Sequence, residues 1–456
     1  MTNDKTGRDK LEKIAFAVVL VISLVAAQAI VNLRSLIRLS DPVELSKSGL
    51  SVSMPRGSAW HSDDKWKFDG DGFTINSIFT TGANTGRSYA RCRYVLAAKQ
   101  MTAQERFSEY ASSLNSETVE TGQLAVKGLV VDWAKISDAN EQASSVPFEI
   151  MFGVCRLPEG RYLEIEVLTT EDEKDLAQNI FNVIIKSIRF SDNGLLKAGI
   201  QIVGDCRNEG LAKALNGREK QVSLFMLTDA SNRPVGFTMD AFAAEPNTDT
   251  QRSAKSGGVS ASEVEPASES EVEAASYFYK RGRVPEEEVG LLHTDDTFTT
   301  FTWRVENRTG ARARRLEMSA QDQNLAIQEQ GKEKEYTLSK AAVPEIIADQ
   351  VLRTFLDSNQ NSILIDVIRA DGTISPLYAE KAEPAQDANQ VIKVELLDGR
   401  GIRQQIYYDS SKNEIKTVFE QGGVLTRSTA EEIAKLFPER ANLVLNRNQL
   451  LNRREL

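Results

Sequence analysis

Gln221–Phe237, QVSLFMLTDASNRPVGF, and Ser362–Tyr378, SILIDVIRADGTISPLY, decide how this chain is built. Each runs apolar, passes an acidic turn, and resumes as a second apolar run with Pro near its entry. Asp, Asn and Gly between β-branched runs are hairpin chemistry, because they bond their own backbone and tolerate left-handed φ. Further runs of the same kind follow each copy. After the first come Tyr277–Tyr279, Val289–Leu292, Phe298–Val305, Arg314–Met318 and Leu325–Gln328. After the second come Val391–Leu397, Ile402–Tyr408 and Ile415–Phe419. The pattern predicts antiparallel meanders with a hint of internal duplication, two copies being too few for a solenoid.

Between the copies Ile347, Val351, Leu352, Phe355 and Leu356 recur at helical spacing behind Pro344, which predicts a covering helix. Ser428 and Glu431 predict a capped last helix ending at Phe437 before Pro438. Residues 199–440 thus read as one antiparallel β-rich domain of α+β type. It is interrupted at 245–275 by Ser, Ala, Glu, Gly and Pro with no aromatic residue. Such a segment buries too little apolar surface to offset chain entropy, so a disordered insertion between neighbouring strands is expected. Residues 441–456 mix Leu443, Leu445, Leu450 and Leu451 with Arg447, Arg453 and Arg454, a short docking helix or a frayed tail.

Upstream, residues 41–192 predict a second α+β body. Leu50, Val52 and Met54 alternate with serines. Ala90, Cys92, Tyr94 and Leu96 alternate with arginines, and Leu163, Ile165 and Val167 with glutamates. Further strands are expected around Leu129–Ile136 and Phe148–Val154. Thr102 with Glu105, and Thr170 with Glu173, form capping boxes that open helices. The second helix carries Leu176, Ile180, Val183, Ile184 and Ile188, a stripe that needs a sheet to cover.

The opening GLSVSMPRGSAW, the strand RYLEIEV and the closing helix IIKSIRF make residues 45–190 resemble the PsbP-like family. That resemblance implies a non-catalytic binding or assembly module and transfers no functional residue. The many strands with one covering helix over 200–440 also resemble the half-barrel of the LolA and LppX-type lipoprotein carriers. The implication there is a cup for a hydrophobic ligand.

Ahead of both bodies lies Ile14–Leu33, IAFAVVLVISLVAAQAIVNL, an uncharged run behind a short charged segment 1–13. As a helix it is about 30 Å long, the thickness of a bilayer's hydrocarbon core. A retained signal anchor fits better than a cleaved signal peptide, because apolar character continues past Ala27–Ala29 and Arg34 and Arg38 follow. Lys5, Arg8, Lys10 and Lys13 favour a cytoplasmic N-terminus, which places residues 34–456 outside the cytoplasm. The whole reads as a single transmembrane helix followed by two antiparallel-sheet domains with covering helices.

The net charge of −10 over 456 residues argues against a nucleic-acid partner. With only His61 and His293, His-rich zinc sites and Ser-His-Asp chemistry lack their material. The chain has no phosphate loop, dinucleotide fingerprint, nucleophile elbow, HExxH or CxxC, and no catalytic, cofactor or metal residue is assigned. Asp69-Gly70-Asp71-Gly72 reads as a tight turn rather than a calcium loop. Cys92, Cys155 and Cys206 read as buried hydrophobes, with a Cys92–Cys155 bond as the alternative. Arg304, Arg308, Arg312, Arg314 and Arg315 form the densest cationic cluster, a candidate patch for an anionic partner. The expectation is a non-enzymatic binding or assembly module at a membrane, with a lipid bilayer partner through residues 14–33 and a protein partner beside it. A carrier of hydrophobic ligands is the alternative, and an enzyme a more distant one.

Overall fold

The computed structural model describes residues 38–446, apart from 58–59, 81–87, 98, 139–147, 171–173, 211–219, 247–268, 296, 385–388 and 400. The apolar run 14–33 lies outside the described residues. Among the described residues no helix is long and apolar enough to cross a membrane. The chain is mostly β-sheet with a few helices.

The first body is built from β1 (Arg38–Leu39), β2 (Val43–Leu45), β3 (Leu50–Val52), β4 (Pro55–Arg56), β5 (Trp60–Ser62), β6 (Lys67–Phe68), β7 (Gly72–Phe79) and β8 (Tyr89–Val95). It continues through α1 (Ala103–Ser113), β9 (Ser116–Val126), β10 (Leu129–Asp138), β11 (Phe148–Arg156), β12 (Tyr162–Thr170), α2 (Lys174–Ser187) and β13 (Arg189–Phe190). Eight strands form an antiparallel sheet in the order β5-β7-β8-β12-β11-β10-β9, with β6 on β7. One face is covered by α2, through Ile180, Phe181 and Ile184 against Cys92, Leu163 and Ile165. The other carries α1, whose Phe107 and Ala111 pack on Ile136, Ile150 and Phe152. Thr102 caps α1 in the expected reciprocal box with Glu105. Glu173 of the second expected box lies outside the described residues.

A helix absent from the sequence reading, α3 (Leu195–Glu209), joins the two bodies. Its Gly199 lies so close to the next sheet that a Cβ there would stand 1.9 Å from the Leu364 carbonyl oxygen.

The second body holds one sheet of 15 strands. An antiparallel meander runs β14 (Lys220–Thr228), β15 (Pro234–Pro246), β16 (Glu269–Lys280), β17 (Glu286–Asp295), β18 (Phe301–Thr309), β19 (Arg312–Gln321), β20 (Asn324–Glu329) and β21 (Lys332–Thr337). The chain then forms β22 (Ala342–Pro344) and α4 (Glu345–Asp357). A second meander follows: β23 (Ser362–Ile368), β24 (Ile374–Ala382), β25 (Gln390–Leu396), β26 (Ile402–Tyr408), β27 (Glu414–Phe419) and β28 (Val424–Arg427). Its last strand pairs with β14 and fuses the meanders. The sheet curls: a Cβ on Gly372, in the β23–β24 turn, would sit 3.5 Å from Leu316 on β19. Val351 and Phe355 of α4 fill the curl, in one core with Trp303, Met318, Ile365 and Ile392. The outer face of β15–β17 is closed by α5 (Ala430–Leu436) and α6 (Ala441–Leu445), with Ile433, Phe437 and Val444 against Phe237, Met239 and Tyr277.

Two expectations are corrected here. The insertion expected at 245–275 is narrower, because Glu269–Ala275 belong to β16 and pair with β15 back to Pro246. Val272 is fully buried there, so one aliphatic among glutamates and alanines suffices when the strand has neighbours on both sides. The cap of α5 is Thr429, which accepts from the Glu432 amide at 3.2 Å, one residue later than expected. Ser428 bonds the Glu432 carboxylate instead.

Candidate binding cavity

Polar residues alternate along β14–β17, and in a simple meander that face would meet water. Here the curl of the sheet turns it inward onto α4. Register places Ser223, Asp240, Ser276 and Glu288 on one rung across four strands. The next inward rung is Phe242, Ala274 and Gly290, and the one beyond is Val272, Leu292 and Trp303. Side chains of the last rung fill the interior, whereas the small residues of the middle rung leave space. The result is a cavity of about 450 Å³ between sheet and helix.

The helix divides its labour by face. Val351 and Phe355 point into the core, Ile347 and Leu352 are buried in it at the cavity's edge, and Glu345, Ile346, Asp349, Gln350 and Arg353 complete the helix's share of the lining. Glu414 of β27 and Arg427 of β28 close the far wall. Five carboxylates (Asp240, Glu288, Glu345, Asp349, Glu414) thus share the volume with two arginines and no lysine. Arg353 is engaged already, with the Asp349 carboxylate at 2.6 Å and the Lys412 carbonyl.

Burial makes three of them, Glu288, Asp240 and Glu414, poor acids. Burial pushes Glu288 up to about 7, with like charge from Glu345, Asp371 and Asp240 adding to it and Arg369 opposing. Asp240 is also raised by burial, against a 2.7 Å hydrogen bond from the Ser276 hydroxyl. Asp240 keeps an accessible surface where it lines the cavity. Burial and the Asp240 charge raise Glu414, opposed by the Thr417 hydroxyl and Arg427.

One donor in the wall is unmet. Trp303 is 2% exposed, and its indole Nε1–H has no hydrogen-bond partner among the described residues. The ring leans across Gly290, where a Cβ would stand 2.9 Å from Nε1. A side chain at 290 would displace the indole.

The expected cationic patch lies on the β18–β19 hairpin, away from this cavity. Arg308 and Arg315 both close on Glu306, Arg314 pairs with Glu329 at 2.6 Å, and Arg304 reaches Glu317 at 3.5 Å. Arg312 makes no ion pair among the described residues. Four of the five cations are therefore spent on carboxylates. His61 is exposed on β5, and His293 Nδ1 lies 3.6 Å from Glu271 in a separate groove. Asp69 and Asp71 both bind Arg93 within a tight turn. Among the described residues no group of three His, Cys, Asp or Glu is arranged to hold a metal ion. Cys92, Cys155 and Cys206 are free thiols, buried, and β12 separates the strands of the first two.

The cavity residues escaped the sequence reading. Period-2 alternation looks the same whether the polar face meets bulk water or an internal cup, and the local sequence does not encode the curl.

No protein-family model matches the chain, and no curated protein matches its sequence. Solved structures give distant likenesses. The β-barrel-like protein of domain of unknown function DUF1849 from Brucella abortus is 9% identical, covering 46% of this chain and 95% of that one, at TM-score 0.31. Cyanobacterial PsbP from Synechocystis sp. PCC 6803 is 12% identical, covering 33% and 92%, at 0.26. LpqN of Mycobacterium tuberculosis, involved in cell envelope biogenesis, is 11% identical, covering 34% and 92%, at 0.24. At these TM-scores the likenesses are distant and carry no argument about this chain.

Proposed function

We propose that this protein is a non-enzymatic binding module that takes a small ligand between α4 and the curled sheet. In this reading residues 14–33 anchor it in a bilayer and residues 34–456 work outside the cytoplasm, beside a protein partner. The observation that supports it is the cavity itself: two meanders and a helix enclose about 450 Å³, within the usual range for small-molecule sites. A carrier of long hydrophobic chains fits less well. Trp303, Leu292 and Phe355 fill the deep end of the curl, and the open end is lined with carboxylates.

Native mass spectrometry of the full chain, gently extracted in neutral detergent, tests the reading. A small molecule should leave on unfolding, chemically unchanged, and Ala274→Phe should abolish its retention by filling the middle rung. An empty wild-type cavity, or a ligand converted to product, would count against a binding module. Crosslinking in native membranes tests the partner, and recovery of the protein alone would remove that part of the proposal.

A further inference from the structure

The chemistry of the cavity wall narrows the ligand, taking the cavity as the binding site proposed above. Asp240 and Glu288 face the same volume from one rung, and Glu414 faces it from across the sheet. Around them stand Glu345, Asp349 and Arg353 on α4, Arg427 on β28, and Arg369 and Asp371 in the β23–β24 turn. Arg369 is held by Asp398 at 3.3 Å and Glu345 at 3.5 Å, so it only partly offsets the charge on the rung. Asp240 and Glu288 carry like charge on one rung and make no ion pair among the described residues, and a bound cation relieves that repulsion.

The second observation is independent of the acids. Trp303 carries a buried N–H with no acceptor among the described residues, and buried polar groups ordinarily find partners. Its site over Gly290 lies two residues along β17 from Glu288, about 7 Å by strand geometry. A ligand that satisfies both must present a donor cation at one end and an acceptor oxygen at the other. Phe242, on the rung between them, offers an apolar wall.

We infer that the cavity binds a small primary amine with an apolar spacer and an oxygen acceptor. The ammonium group lies between Asp240 and Glu288, and the oxygen accepts from Trp303 Nε1–H. An ammonium keeps its proton throughout the neutral range, whereas the carboxylates must lose theirs to bind it. Affinity therefore rises with pH.

Calorimetric titration of the full chain in neutral detergent, with tyramine as probe, tests this. Tyramine should bind at least tenfold more tightly at pH 8 than at pH 5.5, and at least tenfold more tightly than 4-hydroxyphenylacetate, which keeps the ring and hydroxyl but reverses the charge. The near-isosteric Asp240→Asn/Glu288→Gln pair should lose at least tenfold in tyramine affinity without any loss of thermal stability. Trp303→Phe should weaken tyramine but leave phenethylamine, which lacks the oxygen, unchanged. Equal binding of amine and acid, or no tyramine binding at pH 8, overturns the assignment. If native mass spectrometry finds a retained ligand without a basic nitrogen, the amine assignment falls and the cavity stands as a binding site. If nothing is retained and tyramine does not bind, both fall.

Discussion

Arg161 and Asp366 form a bidentate ion pair across the junction of the two bodies, with Nη2 at 2.8 and 3.0 Å from the two carboxylate oxygens. Both side chains are almost fully buried, at 3% and 1% exposure. The Tyr94 hydroxyl accepts from Arg161 Nη1 at 2.9 Å, and the Ser339 hydroxyl donates to Asp366 at 2.6 Å. The pair therefore ties β8 and the β11–β12 turn of one body to β23 of the other, with Arg161 Nε left without a hydrogen-bond partner among the described residues. The backbone amide of Ile374 adds a bond to the Gly70 carbonyl at 2.9 Å.

Removing one partner of such a pair leaves a buried charge unmet. Asp366→Ala or Arg161→Ala should each cost about 3–5 kcal/mol, measured by denaturant unfolding. A paired replacement, Arg161→Met with Asp366→Leu, should recover most of that loss. If either single variant is as stable as the parent, the junction is wet or mobile and the network does not hold the bodies together.

The α3 helix should be equally intolerant at one position. A Cβ on Gly199 meets the Leu364 backbone oxygen at 1.9 Å, and backbone cannot rotate away as a side chain can. Gly199→Ala should destabilise by about 3 kcal/mol through overpacking, despite alanine's better helix propensity. Gly204→Ala, on the same helix with nothing within 4 Å of its Cβ position, should be neutral or slightly stabilising. The thermal midpoint should fall for Gly199→Ala and should not fall for Gly204→Ala.

Those glycines also show why α3 was not read from the sequence. Leu195, Gly199, Ile202, Val203 and Cys206 do recur at helical spacing, but two glycines and no N-terminal capping residue mask the signal. The capping box at Thr102, the α2 stripe and the acidic hairpins were legible, because each is written within a few residues. The joining of β14 to β28 was not, because its partners lie some 200 residues apart and no local pattern encodes long-range pairing. The cavity depends on that pairing. Asp240 and Glu288 looked like solvent-facing strand residues until the sheet closed over them.

Glu288 supplies a pH signature. Its folded-state value, about 7, lies above the ordinary glutamate value near 4.5, so the folded form holds its proton longer than the unfolded chain does. Its contribution to stability is therefore complete below about pH 4.5 and lost as pH rises through 7. Glu288→Gln cannot ionise, so the variant should gain stability relative to the parent between pH 5 and 8, by on the order of 2 kcal/mol at the upper end. Denaturation curves of the two proteins across that range check it. A difference independent of pH would show that Glu288 ionises as freely folded as unfolded.

The repeated acidic turns make the last prediction. In the β26–β27 turn the Asp409 carboxylate accepts from the amides of Ser411 and Asn413, both at 2.8 Å, while Lys412 takes a left-handed φ of 58°. In the β14–β15 turn Asp229 does the same with Ser231 and Arg233, around Asn232 at φ 57°. One carboxylate thus organises a backbone that would otherwise present unmet donors, which is why both turns begin with Asp. The two differ in what depends on them. The Lys412 carbonyl is bonded by Arg353 of the cavity helix, whereas the 229–233 turn has its closest bonds within itself. Asp409→Ala and Asp229→Ala should each cost about 1–2 kcal/mol by the same loss of bonds. Only Asp409→Ala should release Arg353, so hydrogen exchange should speed up in α4 for that variant and not for the other. Equal exchange in both would mean that α4 is held by its apolar face alone.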